Sequence, residues 1–221
     1  YDIKLVVSNA NGMDSTEVIG ALEVEAGLSL PLVEDFEDNS PCSTGGCNIN
    51  CNSFDWTNVA NGSGDDDDWR TDFGGTPSPG TGPSVDYAPG TSSGNYMYIE
   101  SSWCLNQTAH LESPCINLDN VSIPQIKFAY HRNGNVSLMN DLDVDILSNG
   151  TWINLWTIAG VQGDVWETDS VDLTNYTGQN VKLRFNGTSG SEWQSDMAID
   201  GIELTAAPVA NFVANDTVPC I

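Results

Sequence analysis

The sequence predicts an all-β fold built as a sandwich of short strands. Its central part contains six short segments that either alternate apolar with polar residues or are apolar throughout, as strands with a buried face do. Dipeptides such as Asn133-Gly134, Asn149-Gly150 and Asn186-Gly187 indicate turns between them, and no stretch shows a helical repeat. The six segments are Gln125–His131, Asp141–Leu147, Thr151–Ile158, Val165–Leu173, Val181–Asn186 and Met197–Thr205.

A long loop rich in Gly, Pro, Ser and Thr precedes a further strand. The stretch begins at Asp72, and its composition excludes a regular element until Asn95–Glu100, where apolar and polar residues alternate. A loop of this length inside a compact domain is usually either disordered or functional. Its fixed turn residues and its lone Asp86 predict that other parts of the chain hold it in place.

The composition is strongly acidic. There are 31 Asp and Glu against 6 Lys and Arg, which gives a formal net charge of −25. Nucleic acid and anionic membrane surfaces are therefore excluded as partners, because both require basic residues that neutralise phosphates. Cations and neutral polymers remain possible partners. No apolar run approaches the roughly 18 residues of a membrane span, so we expect no direct membrane insertion.

The cysteines predict disulfides and an oxidising, extracellular compartment. No CxxC pair occurs, and neither histidine stands at zinc-ligand spacing from a cysteine pair. Cys104 and Cys115 bracket a short hairpin-like segment, which predicts a bridge between them. The three cysteines of the first loop predict one further pair and leave an odd one, and Cys220 is expected to pair beyond this chain. The six cysteines are Cys42, Cys47, Cys51, Cys104, Cys115 and Cys220.

Seven separated motifs resemble MAM domains, the extracellular modules of meprins, neuropilins and receptor tyrosine phosphatases. The longest is GGTPSPGTGPSVDYAPGTSSGNYMYIE at Gly74–Glu100. The resemblance covers residues 28–206 and implies a jelly-roll sandwich of two antiparallel sheets with a non-catalytic adhesion or recognition role. The three-cysteine loop and the acidic composition resemble the bacterial secreted variety. The other six motifs are VEDFED at Val33–Asp38, FDWTN at Phe54–Asn58, AHLESPCINL at Ala109–Leu118, IKFAYHRNG at Ile126–Gly134, LWTIAGVQGDVWETDSVDL at Leu155–Leu173 and SDMAIDGIEL at Ser195–Leu204.

Both ends of the chain resemble partial PKD-like, immunoglobulin-type repeats. Tyr1–Ser8 alternates as a strand does, Asn11-Gly12 indicates a turn, and Glu17–Glu25 is a second extended stretch. This hairpin resembles the last strands of such a repeat, and Pro208–Ile221 resembles the first strand of another. We therefore expect three parts: residues 1–27 as C-terminal strands of one repeat, 28–206 as the MAM-like jelly roll, and 207–221 as the start of a second repeat.

Four acidic residues form a candidate Ca²⁺ site. In the segment 33–38, Phe36 is expected to face inward, which puts Asp35 and Glu37 together on the opposite side. Asp86 lies in the long loop, whose backbone carbonyls add the oxygen ligands that Ca²⁺ prefers. Asp200 stands among buried neighbours, where a carboxylate is costly unless it is paired or coordinated.

The sequence also predicts which face of its strand Asp200 lies on. Alternation puts Met197, Ile199 and Gly201 on one face of their strand, and Ala198, Asp200 and Ile202 on the other. The resemblance implies a structural calcium where a first-strand Phe-Glu meets a last-strand acid, which here means Glu37 and Asp200. The alternative is a hydrogen-bonded, buried Asp200 beside a surface Glu37.

Two further acidic groups are interpreted as solvated. The run Asp65–Asp68 is expected to be a solvated loop, with calcium or a basic partner as the alternative. Asp141, Asp143 and Asp145 alternate with apolar residues, which predicts a strand with a charged outer face. An EF-hand is excluded there, because Gly and the closing Glu are absent at the required positions.

Two of the seven tryptophans are candidate glycan contacts. Tryptophan is usually largely buried, so most of the seven are expected in the core. Trp103 and Trp193 are flanked by polar residues in predicted loops and are therefore expected to be exposed.

The sequence contains no catalytic motif. His110 and His131 are expected to be packed structural residues at strand edges. We expect a non-catalytic adhesion or recognition module of a larger secreted or cell-surface protein, whose partners are proteins or glycans on a cell surface or copies of itself. The alternatives are an accessory carbohydrate-binding module of a secreted hydrolase or peptidase, and a subunit of an extracellular filament.

Overall fold

The computed structural model describes residues 2–21, 27–53, 55–135 and 139–206. Within them the regular elements are fifteen strands and one short 3-10 helix, Thr174–Tyr176. The strands are β1 (Ile3–Asn9), β2 (Gly12–Val18), β3 (Leu28–Ser29), β4 (Leu32–Glu34), β5 (Thr57–Asn58), β6 (Arg70–Phe73), β7 (Asn95–Ile99), β8 (Thr108–Glu112), β9 (Ile116–Asn117), β10 (Pro124–Arg132), β11 (Leu142–Ser148), β12 (Thr151–Ile158), β13 (Gly163–Asp172), β14 (Asn180–Thr188) and β15 (Met197–Ala206).

The strands form two large sheets and one separate hairpin. The first large sheet has the order β13-β10-β15-β7-β6, with β4 also paired to β15. The second has the order β12-β11-β14-β8-β5, with β9 paired to β14 and β3 to β9. Among the named strands described, all pairs are antiparallel except β3 with β9. The predicted all-β, jelly-roll type of sandwich is confirmed, and all six predicted central strands are present with their ends within two residues.

The main core lies between the two large sheets. Phe128 on β10 and Phe185 on β14 meet edge to face, with ring centroids 5.2 Å apart. Leu142, Val144 and Ile146 on β11 are fully buried in the same cluster. The predicted inward face of this strand is therefore confirmed.

Asn186-Gly187 is not a turn, and its prediction as one is wrong. Both residues lie inside β14, where Gly187 pairs with Ala109. A Cβ on Gly187 would collide with the side chain of Ile99 and would lie 3.0 Å from Trp69 Cζ2. Glycine is present here because two core side chains approach the backbone closely, not because the chain turns.

The alternation of inward and outward residues along β15 breaks at Gly201, so the predicted face of Ile202 is wrong. Gly201 has φ +55°, and the pairing with β10 shifts register opposite it. Ile199 and Ile202 therefore both point into the main core, although simple alternation separates them. Asp200 remains on the outer side of the sheet, as expected.

A second, smaller cluster lies on the outer face of the first large sheet. Tyr96, Tyr98 and Ala198 are fully buried there, and Trp166 packs against them. Their sequence neighbours Met97 and Ile99 point the other way, into the main core. This part of the outer face is therefore covered, by Trp166 and by the long loop described below.

The N-terminal hairpin is separate from both large sheets. β1 and β2 pair in register from Ile3 with Val18 to Asn9 with Gly12, and every residue in both strands is exposed. The predicted first strand and the turn at Asn11-Gly12 are present. The predicted start of a second repeat at 207–221, and residues 22–25 of the second extended stretch, lie outside the described residues. No helix in the described part of the chain is long and apolar enough to cross a membrane.

Candidate functional site

The long loop is held down by Asp200. One carboxylate oxygen of Asp200 accepts the backbone N–H groups of Tyr87 and Ala88 at 2.8 and 3.2 Å. The indole N–H of Trp166 donates to the carbonyl of Val85 at 2.9 Å, and the Tyr87 ring lies 6.2 Å from the Trp166 ring. The prediction that other parts of the chain hold this loop is confirmed.

Asp86 organises the same loop from within. Its side chain is 1% exposed and accepts the backbone N–H groups of Gly90, at 3.2 Å, and of Thr91. A Cβ on Gly94 would overlap the Asp86 carboxylate, so this turn closes only around a glycine. Carboxylates that accept backbone N–H groups in this way fix a loop that lacks regular structure.

Glu37 and Asp35, at the start of the jelly roll, also accept backbone hydrogen bonds. Glu37 accepts the backbone N–H of Asn95, the first residue of β7, at 2.7 Å, and Asp35 accepts the N–H of Glu37 at 3.3 Å. Phe36 is 1% exposed and points inward, as predicted. Phe36 has a positive φ, +56°, and lies in a bend beyond the end of β4 at Glu34, so strand alternation does not position the two acids as predicted.

Electrostatic effects connect the four acids predicted to bind Ca²⁺. Burial raises the pKa of Asp200 to about 7, and the charge of Asp86 adds to the increase. The pKa of Glu37 is also raised, first by burial and then by Asp86 and Asp35. The charge of Asp86 therefore acts on both Glu37 and Asp200.

The present geometry is that of hydrogen-bonded carboxylates. Their oxygens accept N–H groups of the loop, and no group of three or more His, Cys, Asp or Glu side chains within the described ranges is arranged to hold a metal ion. The loop is consequently attached by direct hydrogen bonds, which is the alternative considered from the sequence for Asp200. A bound cation would need backbone carbonyls in addition to these acids.

Trp103 and Trp193 line one pocket, although 90 positions separate them in the sequence. Trp103 lies between β7 and β8 and is 91% exposed, and Trp193 lies between β14 and β15 and is 42% exposed. Both were expected to be exposed, and the structure also brings them together. The pocket has a volume of about 340 Å³ and is lined by Ser102, Trp103, Leu105, Glu192 and Trp193.

The backbone of Trp103 has an unusual conformation. Its φ is +71°, in the left-handed region, which costs a bulky residue about 1–2 kcal/mol. The disulfide between Cys47 and Cys104 anchors the next residue. Glu100 accepts the N–H of Ser102 at 2.7 Å, and Asp196 accepts the N–H of Ser101 at 3.0 Å. The surrounding contacts therefore impose a conformation that keeps the indole in solvent.

The loop that carries Trp193 is anchored to the same region. The hydroxyl of Ser195 accepts the N–H of Gly190 at 2.9 Å and donates to the carbonyl of Glu192 at 2.7 Å. The N–H of Asn106 donates to the carbonyl of Gly190 at 3.0 Å. These bonds join the two loops, so both sides of the pocket are fixed.

The disulfides differ from one of the predicted pairs. Cys104 pairs with Cys47 and not with Cys115, which is unpaired within the described residues. The five-residue strand β8 separates Cys104 from Cys115 and spans about 17 Å, while a disulfide needs Cα atoms within about 7 Å. Cys42 pairs with Cys51, so one bridge within the first loop is present as predicted, although the sequence left open which two of the three cysteines form it.

Three of the four acids in the run 65–68 are buried and only Asp66 is exposed, so the interpretation of the run as a solvated loop is wrong for Asp65, Asp67 and Asp68. Asp67 forms an ion pair with Arg70 at 2.9 Å, and both side chains are almost fully buried. Asp68 accepts the N–H of Cys51 at 2.5 Å, and burial raises its pKa to about 6. These acids attach the first cysteine loop to β6, and nothing in their geometry points to a partner.

The outer face of β11 is charged, and its two acids have partners on the neighbouring strands. Asp145 accepts two hydrogen bonds from the Arg184 guanidinium, at 2.7 and 3.1 Å, and this guanidinium lies 4.2 Å from the centre of the Trp152 ring. Asp143 accepts a hydrogen bond from Thr157 at 2.6 Å. Side chains of neighbouring strands thus pair Asp145 with a cation and hydrogen-bond Asp143, whereas Asp141 precedes β11 and is exposed.

Both histidines are packed within sheets. Burial and the nearby Arg184 lower the pKa of His110 to about 4. His131 is 2% exposed, and its Nε2 lies 3.3 Å from an oxygen of Asp164. The expectation that they are packed structural residues is confirmed for both.

The sequence did not indicate that Ser102, Leu105 and Glu192 line the tryptophan pocket, or that Cys47 anchors it. A local signal exists, since each exposed tryptophan follows a polar residue, in Ser102-Trp103 and Glu192-Trp193. The signal does not tell which loops meet, because that depends on the order of strands in the two sheets.

Comparison with known proteins assigns the family. The model of the MAM domain (meprin/A5/mu) matches residues 35–208. The chain is 30% identical over 148 residues to MAM domain-containing protein 2 of Mus musculus, a match that covers 65% of this chain and 20% of that protein. The chain therefore spans about a fifth of the length of this relative.

Two solved adhesin domains of Lys-gingipain have the same fold. The K1 cleaved adhesin domain from Porphyromonas gingivalis W83 has a TM-score of 0.51 at 18% identity, covering 81% of this chain and 99% of that domain. The K2 cleaved adhesin domain has a TM-score of 0.53 at 15% identity, covering 79% and 97%. At these identities the likeness concerns the fold alone. Since the matching family model covers most of the sequence, the chain belongs to the MAM (meprin/A5/mu) family.

Proposed function

We propose that this chain is a non-catalytic recognition module of a larger secreted or cell-surface protein, and that it contacts its partner through the pocket of Trp103 and Trp193. The observation that carries the proposal is the convergence of these two exposed indoles from loops that hydrogen bonds and a disulfide hold in place. Exposed aromatic side chains on rigid loops are typical of binding surfaces, because little conformational entropy is lost when they bind.

Several observations support an extracellular adhesion role. The chain belongs to the MAM family, and two domains of similar fold are described as adhesin domains. Two disulfides fit an oxidising compartment. The net charge of −25 argues against nucleic acid as a partner, and leaves proteins or glycans on a cell surface, or further copies of the chain.

The experiment that tests this role is a surface-retention assay. The fluorescently labelled full chain is applied to cells and to deposited extracellular matrix, and the retained fraction is measured. We expect the double variant Trp103→Ala, Trp193→Ala to lose at least tenfold in retention with an unchanged melting temperature. The matched control is Phe73→Ala, which removes another exposed aromatic ring away from the pocket. Equal retention of the double variant and the unmodified chain would contradict the proposed role of the pocket.

We also propose that Ca²⁺ binds beside the long loop, through Glu37, Asp86 and Asp200 with Asp35 next to them. Two observations support it: Glu37, Asp86 and Asp200 all accept backbone N–H groups of the same segment, residues 87–95, and the charge of Asp86 raises the pKa of both Glu37 and Asp200. A divalent cation would offset this repulsion. The role of the ion would be structural, strengthening an attachment that hydrogen bonds already make.

A further inference from the structure

We infer that the pocket of Trp103 and Trp193 binds neutral pyranose glycans and excludes acidic ones. This inference rests on the proposed function, because it names the ligand class of the same pocket. Its support comes from the shape of the pocket, the charge of its lining and the rigidity of its two loops.

The shape suits a sugar ring. Two indoles and Leu105 supply the apolar lining, and Ser102 and Glu192 supply hydrogen-bonding groups. One face of a pyranose ring presents C–H bonds with partial positive charge, which the negative face of an indole attracts, while hydroxyl groups surround its edge. The volume of about 340 Å³ lies at the lower end of the roughly 300–1,000 Å³ of small-molecule sites, and therefore suits the end of a sugar chain.

The charge of the lining excludes acidic ligands. Glu192 is the charged residue among those that line the pocket, and within the described residues no basic side chain lines it. A uronate or sialate carboxylate would meet Glu192 without a compensating cation, on a chain of net charge −25. Specificity of this kind comes from repulsion of the wrong ligand as well as from contacts with the right one.

The rigidity of the loops lowers the entropic cost of binding. The carbonyl of Ser189 accepts a hydrogen bond from the Asn140 side chain at 2.8 Å, and the Ser189 hydroxyl donates to the carbonyl of Cys104. The Trp193 loop is thereby joined to the residue that follows Trp103. The backbone segments that carry both indoles are held before the ligand arrives, so less of the binding energy is lost on ordering the loops.

A protein partner fits the pocket less well. A stable protein–protein interface uses about 20–30 residues on each side, whereas five residues line this pocket. The polar residues next to each tryptophan also do not extend the apolar area. A glycan can bind to a small aromatic site alone, whereas a protein would also need contacts with the surface around the pocket.

Calorimetric titration of the full chain under non-reducing conditions tests the inference. The neutral probes are oligosaccharides of β-1,4-linked glucose, xylose, galactose and mannose, and the acidic probes are oligogalacturonate and hyaluronan oligosaccharides. We expect at least one neutral probe to bind with a Kd between about 1 μM and 1 mM, and each acidic probe to bind at least tenfold more weakly. Trp103→Ala and Trp193→Ala should each weaken binding of the neutral probe at least tenfold, whereas Phe73→Ala should leave it within twofold.

A charge change provides an independent readout. Glu192→Lys should raise the affinity for the acidic probes at least tenfold, because it replaces the repulsive group with an attractive one. Near-ultraviolet circular dichroism checks that each variant is folded.

Three results would overturn the inference: no binding of any neutral probe, binding that neither tryptophan affects, or acidic and neutral probes bound equally well. If no glycan binds but retention on cells still depends on Trp103, the proposed recognition role stands and its partner is a protein. If retention is also independent of the tryptophans, both proposals fail.

Discussion

Asp200 and Tyr87 are 113 positions apart, and the carboxylate of Asp200 accepts the backbone N–H of Tyr87 at 2.8 Å. This bond attaches the middle of the long loop to the last strand. A Cβ on the neighbouring Gly201 would lie 2.7 Å from the Tyr87 ring, so the absence of a side chain there lets the ring lie on the strand. A loop that has no regular structure thus has a fixed position, and the stability of this attachment depends on the ionisation of a buried acid.

The first prediction concerns pH. The folded-state pKa of Asp200, about 7, lies above the ordinary value of 3.8. The folded protein therefore binds this proton more tightly than the unfolded chain, so the contribution of Asp200 to stability is largest below about pH 4 and decreases as the pH rises towards 7. We expect the free energy of unfolding of the unmodified chain to fall, relative to Asp200→Asn, by up to about 1.4 kcal/mol per pH unit between pH 5.5 and 7.

Urea unfolding in chelator at several pH values measures this difference. Asp196, whose pKa burial also raises to about 7, is present in both proteins, so its contribution cancels in the comparison. Asp14→Asn, in the exposed hairpin, is the matched control and should follow the unmodified chain. Parallel stability profiles for Asp200→Asn and the unmodified chain would show that Asp200 is ionised in the folded state throughout this range.

The second prediction concerns calcium. If the ion binds with a Kd on the order of 1 mM, as in many extracellular modules, 10 mM Ca²⁺ should stabilise the fold by about 1.4 kcal/mol. For a domain of this size the melting temperature should rise by about 3–6 °C. Glu37→Gln and Asp200→Asn should abolish the increase, while Asp14→Asn should keep it. NaCl of matched ionic strength controls for screening of the net charge. An unchanged melting temperature would exclude the ion and leave the hydrogen bonds to hold the loop.

The third prediction concerns Gly187. An added methyl group would collide with Ile99 and crowd Trp69 and Met197, all of which are buried in the main core. We expect Gly187→Ala to destabilise the chain by about 1–3 kcal/mol, the usual cost of overpacking a core. Gly45→Ala is the matched control, because a Cβ on Gly45 would meet no atom within 4 Å. Equal melting temperatures for the two variants would mean that the core accommodates the extra methyl group.

The strands of the sandwich could be predicted because their pattern is local. Leu142, Val144 and Ile146 point inward on β11, and the acids between them point outward, as a period of two requires. Asn149 and Gly150, both with positive φ, form the predicted turn to β12. The same local rules gave the wrong result at Gly187 and Gly201, because the conformation there depends on Trp69, Ile99 and Tyr87, which lie far away in sequence.

The candidate sites could be predicted only as separate residues. The polar flanks of Trp103 and Trp193 indicate exposure, but nothing local tells that the two loops meet. The burial of Asp67 depends on its ion pair with Arg70, which the rule that charge runs are solvated does not foresee. Likewise, Cys104 pairs with Cys47 because β8 runs away from Cys104 and carries Cys115 out of its reach. In each case the deciding factor is the order of the strands in space.

The last prediction concerns the disulfide beneath Trp103. Cys47 and Cys104 are 57 positions apart, and closing a loop of that length stabilises the folded state by up to about 4 kcal/mol. The double variant Cys47→Ser, Cys104→Ser should therefore lose most of that amount from its free energy of unfolding in urea. It should also be retained less on cells and matrix, because the disulfide anchors the residue next to Trp103. Cys115→Ser should change neither property, since Cys115 forms neither of the two disulfides observed. Peptide mapping by mass spectrometry gives the pairing directly. A disulfide-linked peptide containing Cys104 and Cys115 would contradict the observed pairing. A double variant that keeps its stability but is no longer retained on cells would mean that the disulfide positions the pocket and adds little to the stability of the fold.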